Sequence, residues 1–131
     1  MMDKTDVIRP GAVLVIDAGS RIFYASLEDN PSSEAFKERL SPEVLSLDMR
    51  DDCGFGKTAD LPWELPHGDG KTAAGPGDIM LCQENRITIC FCGNTRNSTR
   101  LARIGEETAE ELREILGEGN LKIRFSLEWG E

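Results

Sequence analysis

Positive charge is in short supply: 15 Lys plus Arg stand against 24 Asp plus Glu in 131 residues, giving a formal charge of −9 and a pI near 4.6. That balance repels phosphate backbones and anionic lipid, so nucleic acid and membrane are not expected partners. Long apolar runs are missing too. The longest, Ala12 to Ile16, falls far below the ~20 residues of a membrane helix, and the opening MMDKTD lacks the basic and apolar regions of a signal peptide. A cytoplasmic protein is expected. Histidine occurs once, as His67, and the four cysteines, Cys53, Cys82, Cys90 and Cys92, are irregularly spaced. Cys90 and Cys92 fall on one strand face, where Cys82, Cys53 or His67 could complete a soft metal site, yet the spacings match no zinc pattern. Cysteines in apolar strand-like runs behave as small hydrophobes, so the expectation is four reduced thiols, no metal and no cofactor. A two-residue hairpin would also set Cys82 opposite Ile87, on the other face from Cys90, which forbids that bridge.

What is present suits one globular unit: 39% of the residues are hydrophobic and 30% charged, enough at this length to bury a core without staples. Residues 1–11 read as an extension and 12–131 as a single domain. AVLVID at Ala12 to Asp17, a turn at Ala18-Gly19-Ser20 and the alternation from Arg21 to Leu27 predict a β-hairpin. Asn30-Pro31 is a helix start, with Phe36 and Leu40 one turn apart, so a helix is expected from Pro31 to Leu40. A short strand follows over Val44 to Met49. Arg50 to Gly77 concentrates glycine and holds three of the six prolines, which predicts mostly loop, with an edge strand near Trp63 to Leu65. Asp78 to Cys82 and Arg86 to Cys92 form a second hairpin, expected at the centre of the sheet. Leu101 to Ile104 adds a strand, Glu106 to Leu116 an amphipathic helix closed by Gly117, and Leu121 to Leu127 the clearest half-buried strand. About eight short strands with two helices predict a mainly β fold, a closed barrel with helices over its ends.

Five stretches, in order, are LEDNPSSEAF at Leu27 to Phe36, ADLPWELP at Ala59 to Pro66, GPGDIML at Gly75 to Leu81, STRLARIG at Ser98 to Gly105 and the closing LKIRFSLE. Together they resemble the bacterial and archaeal cyclophilin-like domain family over roughly residues 12 to 128. The resemblance implies a cyclophilin-type closed barrel of about eight strands with two capping helices; it implies no assigned activity. Some members of that family sit beside flavodoxin-like domains. True cyclophilins, which are prolyl isomerases, carry a Phe-His-Arg strand and a Gln-Gly-Gly-Asp stretch, and neither is present. Arg50, in LSLDMRDD, occupies a broadly similar stage of the chain without matching the motif, so no catalytic residue is assigned.

Gly54-Phe55-Gly56-Lys57-Thr58 looks like the end of a phosphate-binding loop. The glycine required five residues before Gly56 is instead Asp51, and ADLPWELP cannot open the helix that would face a phosphate, so a glycine-rich turn with a solvated lysine is expected. His67, close in sequence to Glu64 and Asp69, lacks a nucleophile beside it and reads as an exposed loop histidine rather than a general base. Glu106, Glu107, Glu110, Glu111 and Glu114 read as a solvated helix face. Arg96, Arg100 and Arg103 form the one basic cluster; converging guanidinium groups bind carboxylate or phosphate, while the rival outcome is pairing with the acidic helix. Trp63, between prolines, is either a plug on the barrel mouth or an aromatic binding wall.

The leading functional expectation is a non-catalytic barrel whose rim binds a small acidic ligand or an extended peptide through Arg50, Trp63, His67, Asn94, Arg96 and Arg100. The alternatives are a diverged prolyl isomerase, with Arg50 or Arg96 drawing electron density from the prolyl nitrogen while Trp63 and Phe55 hold the ring, and an interaction module for a flavodoxin-like redox partner.

Overall fold

A computed structural model describes residues 12–52, 56–68, 71–91, 93–105, 109–117 and 119–129, with the side chains of 52, 94, 96 and 129 outside that description. Alternation makes the first hairpin: β1 (Ala12–Asp17) turns its even positions inward and pairs with β2 (Ile22–Leu27). Helix α1 (Pro31–Leu40) starts where Asn30 Oδ1 accepts the Ser33 N–H at 2.8 Å and Pro31 takes the first turn. Then come β3 (Leu45–Asp52), β4 (Gly56–Asp60), β5 (Lys71–Ala74), β6 (Asp78–Cys82), β7 (Arg86–Cys90), β8 (Asn94–Asn97), β9 (Thr99–Ile104), α2 (Ala109–Leu116) and β10 (Leu121–Trp129).

Eight strands close into an antiparallel barrel in the order β9-β2-β1-β10-β3-β4-β7-β6, with β6 returning to β9, while β5 and β8 form a separate two-stranded ribbon. Closure leaves no unpaired edge in the barrel wall. Inside, Leu14, Ile16, Phe23, Ile79, Leu81, Ile87, Ile89, Ile123 and Phe125 meet Phe36 and Leu40 of α1 and Leu112 and Leu116 of α2 in one core. Each such side chain, fully buried, is worth about 1.5–3 kcal/mol. Phe36 stands edge-on to Phe125 at 6.4 Å between centroids, which ties α1 to β10. Among the described residues no helix is long and apolar enough to cross a membrane.

The barrel expectation holds, with corrections in the middle third. Arg50 to Gly77 is not mostly loop: it holds the barrel strand β4 and the ribbon strand β5, and Trp63 to Leu65 is not a strand. The second hairpin supplies two adjacent strands of the closed wall, which has no centre. Its turn takes three residues, with Gln83 at φ 60, so Cys82 falls opposite Arg86 rather than Ile87. Cys82 and Cys90 therefore share a face, and they are kept apart by four positions along β7, about 13 Å of strand. Neither is joined in a disulfide; Cys53 and Cys92 lie outside the described residues.

Candidate functional site

The lysine of GFGKT is not solvated. β4 pairs with β7, Lys57 opposite Ile89, so the side chain starts inside the barrel with no exposed surface. Its ammonium meets Asp51 Oδ1 at 2.8 Å and the Gly119 carbonyl, and Asp51 Oδ2 accepts the Gly119 N–H at 2.9 Å. The Lys57 hydrogen bond, then the Gly119 amide, hold the Asp51 carboxyl below its usual value of 3.8. Gly56 is glycine because a Cβ there would run into the Ile89 carbonyl oxygen. The phosphate-loop look of this segment is therefore a strand and a latch between β3, β4 and the α2–β10 turn. Gly54 and Phe55 lie outside the described residues.

A second charged centre forms where GPGD enters β6. Gly77, at φ +90, turns the chain and its N–H donates to the Cys90 carbonyl at 2.9 Å. Asp78 is thereby seated almost wholly buried: Oδ2 accepts the Gly75 N–H at 2.8 Å and Oδ1 accepts Arg103 Nε at 2.8 Å. Arg100 Nε lies 3.4 Å from Oδ2 without hydrogen-bond geometry and is the one buried polar side-chain atom lacking a partner among the described residues. Its Nη2 donates to the Ala73 carbonyl of β5 at 3.2 Å. The hydrogen bond that Arg103 donates to Asp78, ahead of the carboxylate's charge, raises the already high pKa of Arg103. Arg100 and Arg103 thus pair with Asp78 of β6. Asp78, the residue that organises this cluster, was not among the predicted site residues; its only signal was an acid closing the GPGD turn.

Beside Arg100 opens a cleft of about 330 Å³ lined by Glu28, Asn30, Gly68, Thr72, Ser98, Thr99 and Arg100. Its walls are pinned by hydrogen bonds: Asn30 Nδ2 donates to the Arg100 carbonyl at 2.9 Å, Gly68 N–H to Thr99 Oγ1 at 3.0 Å and Thr72 Oγ1 to the Ser98 carbonyl at 2.9 Å. Ser33 Oγ donates to the Leu101 carbonyl at 2.9 Å, fixing α1 against β9. The cleft therefore lies between the end of the Trp63 loop, the ribbon and the start of β9.

Of the expected rim residues whose side chains are described, Arg100 alone lines this cleft. His67 adjoins it, one residue before Gly68, but is exposed, with Nδ1 3.3 Å from the Gly68 carbonyl and Nε2 3.8 Å from Glu84 Oε2. Trp63 is turned elsewhere: half-buried, it packs on Phe36 at 6.1 Å with Arg39 over its ring at 5.5 Å. Its loop is held by Leu61 and Leu65 N–H groups on the Asn85 and Glu84 carbonyls and by the Ser32 hydroxyl on Pro66. Trp63 plugs the core beside α1. Arg50 is on β3, opposite Thr58 of β4 and four strands from β9 in either direction, so the structure does not bring it to the cleft. Asn94 and Arg96 sit on β8 opposite Ala74 and Thr72; their side chains lie outside the described residues.

A family model described as the cyclophilin-like family matches residues 16–126. No curated protein and no solved structure matches significantly. The match runs from the end of β1 into β10 and takes in both helices, and the chain belongs to the cyclophilin-like family.

Proposed function

We propose that this member of the cyclophilin-like family is a non-catalytic binding barrel that takes an extended peptide in the cleft beside Arg100. One observation carries the reading: the cleft couples the Arg100 guanidinium to a wall of hydroxyls, an amide and exposed backbone. The lining residues include both donors and acceptors, which suits a ligand that both donates and accepts, as a peptide backbone does. The charges favour the peptide over a small acidic ligand. Arg100 and Arg103 are matched by the buried Asp78 and by Glu28 on the cleft wall, so the local field gives a lone carboxylate little attraction.

The diverged prolyl isomerase gains no support from Arg50, which stands across the barrel from the cleft. Exchange of a proline peptide in the presence of stoichiometric protein should therefore keep its spontaneous rate, tens of seconds or slower at 25 °C. Acceleration seen by NMR and lost in Arg50→Ala would reverse this.

The affinity test uses short peptides capped at both ends, read by fluorescence anisotropy. Arg100→Ala should weaken the best binder by about tenfold or more, the equivalent of one charge-assisted contact, while Arg103 keeps Asp78 paired. Arg50→Ala should leave affinity unchanged. Binding of small carboxylates but of no capped peptide, or equal loss in both variants, would overturn the proposal.

A further inference from the structure

The outer face of β1, β2 and β10 carries Tyr24 and Val15 beside Ser126 at its middle, Ile22 beside Asp17 and Arg124 at one end, and Val13 beside Glu128 at the other. Tyr24 and Ile22 are 54% and 47% exposed, among the few large apolar side chains so placed in the described residues. Register puts Tyr24 directly beside Val15, which in turn lies beside Ser126, so the three share one face. Along β10, Arg124 and Glu128 flank Ser126 on that face, both exposed. No hydrogen bond or ion pair holds Glu128 or Arg124 among the described residues; the carboxylate nearest Arg124 in the register is Asp17, directly opposite, which is occupied with the Gly19 N–H at 2.8 Å.

The pattern is self-complementary. A two-fold axis lying across the strands reverses their direction in the second copy. It stacks Tyr24 on Tyr24 and Val15 on Val15, and sets each Arg124 against the Glu128 of the other copy, twice per interface. Because the barrel wall is closed, association through these strands has to be face to face, the aligned packing of two sheets, and not edge to edge. We infer that the outer face of β1, β2 and β10 is the contact surface of a two-fold homodimer, joined by an apolar centre of Tyr24 and Val15 and by two Arg124–Glu128 ion pairs. Three strands about 4.8 Å apart, each residue adding about 3.3 Å, make a patch of a few hundred Å² per copy, below the ~800 Å² per partner of a stable complex and in the range of weak association. The dimer is therefore a concentration-dependent one. It stands independently of the peptide cleft, which opens beside β9 and the ribbon.

Sedimentation velocity over a concentration series reaching the millimolar range tests it. The unmodified protein should pass from monomer to dimer. Tyr24→Glu and Arg124→Glu, both exposed positions whose folding is checked by circular dichroism, should each raise the dissociation constant by about tenfold or more. Arg124→Glu combined with Glu128→Arg should restore it. A protein monomeric throughout, a dimer indifferent to Tyr24→Glu, or a charge swap that fails to rescue Arg124→Glu would overturn the inference.

Discussion

Asp78 is the residue on which the charged side of the cleft turns. Its carboxylate, nearly without contact with water, meets Arg103, Arg100 and the Gly75 amide at once. Removing one partner of a buried charge cluster is costly, so Asp78→Asn should destabilise the fold by about 3 kcal/mol in urea unfolding. It should also leave the cleft net positive, and small carboxylates should begin to bind. An unchanged unfolding midpoint would show that the cluster contributes nothing. Lys57 makes the corresponding case at the other charged centre: Lys57→Met strips the Gly119 carbonyl and Asp51 of their shared donor and should cost about 2 kcal/mol. Asp51 adds a pH dependence of known sign. Its folded-state pKa lies below the unfolded one, so its contribution is complete above the usual 3.8 and fades as pH falls through the lower folded value. Asp51→Asn should therefore flatten the acid limb of the stability curve below about pH 4. A limb that stays as steep would contradict the latch.

The elements differ in what positions them. α1 and β10 were readable because their side chains carry the period: a capped proline start with Phe36 and Leu40 on one face, and strict alternation from Leu121 to Leu127. β4 was not readable, because GKTAD has no apolar alternation: its inward positions are Lys57 and Ala59, and the lysine reaches the barrel's end with its charge paired rather than solvated. β8, the sequence NTRN, is polar throughout and becomes a strand only through pairing with β5. For the same reason the cleft was half visible. Arg100 announced itself as charge in an acidic chain, but Asp78, Thr72 and Asn30 acquire their roles from contacts some 25 to 70 residues away. Glycines test the close approaches. Gly77→Ala combines a left-handed φ with a Cβ placed 2.5 Å from the Ile104 carbonyl oxygen, whereas Gly19→Ala meets open space and carries only the backbone penalty. Thermal unfolding should show a loss of about 1–2 kcal/mol at Gly19 and a clearly larger one at Gly77; equal losses would mean that the turn gives way.

On the scale of the whole molecule, the barrel is a scaffold that holds the start of β9, the β5–β8 ribbon and the first turn of α1 around one polar cleft. The cleft sits on the outside of the wall, since the interior is filled by the core from Leu14 to Phe125. With a formal charge of −9 the chain repels polyanions, so the proposed ligand would be selected by hydrogen bonding rather than by charge. Mapping amide chemical shifts while a capped peptide is titrated is the most direct measurement. The perturbed amides should cluster at Asn30, Gly68, Thr72 and Ser98 to Arg100, and leave Arg50 and α2 unmoved. Shifts gathered on α2, as a docking module for another protein would give, or no localised shifts with any peptide, would contradict the assignment of the cleft as the binding site.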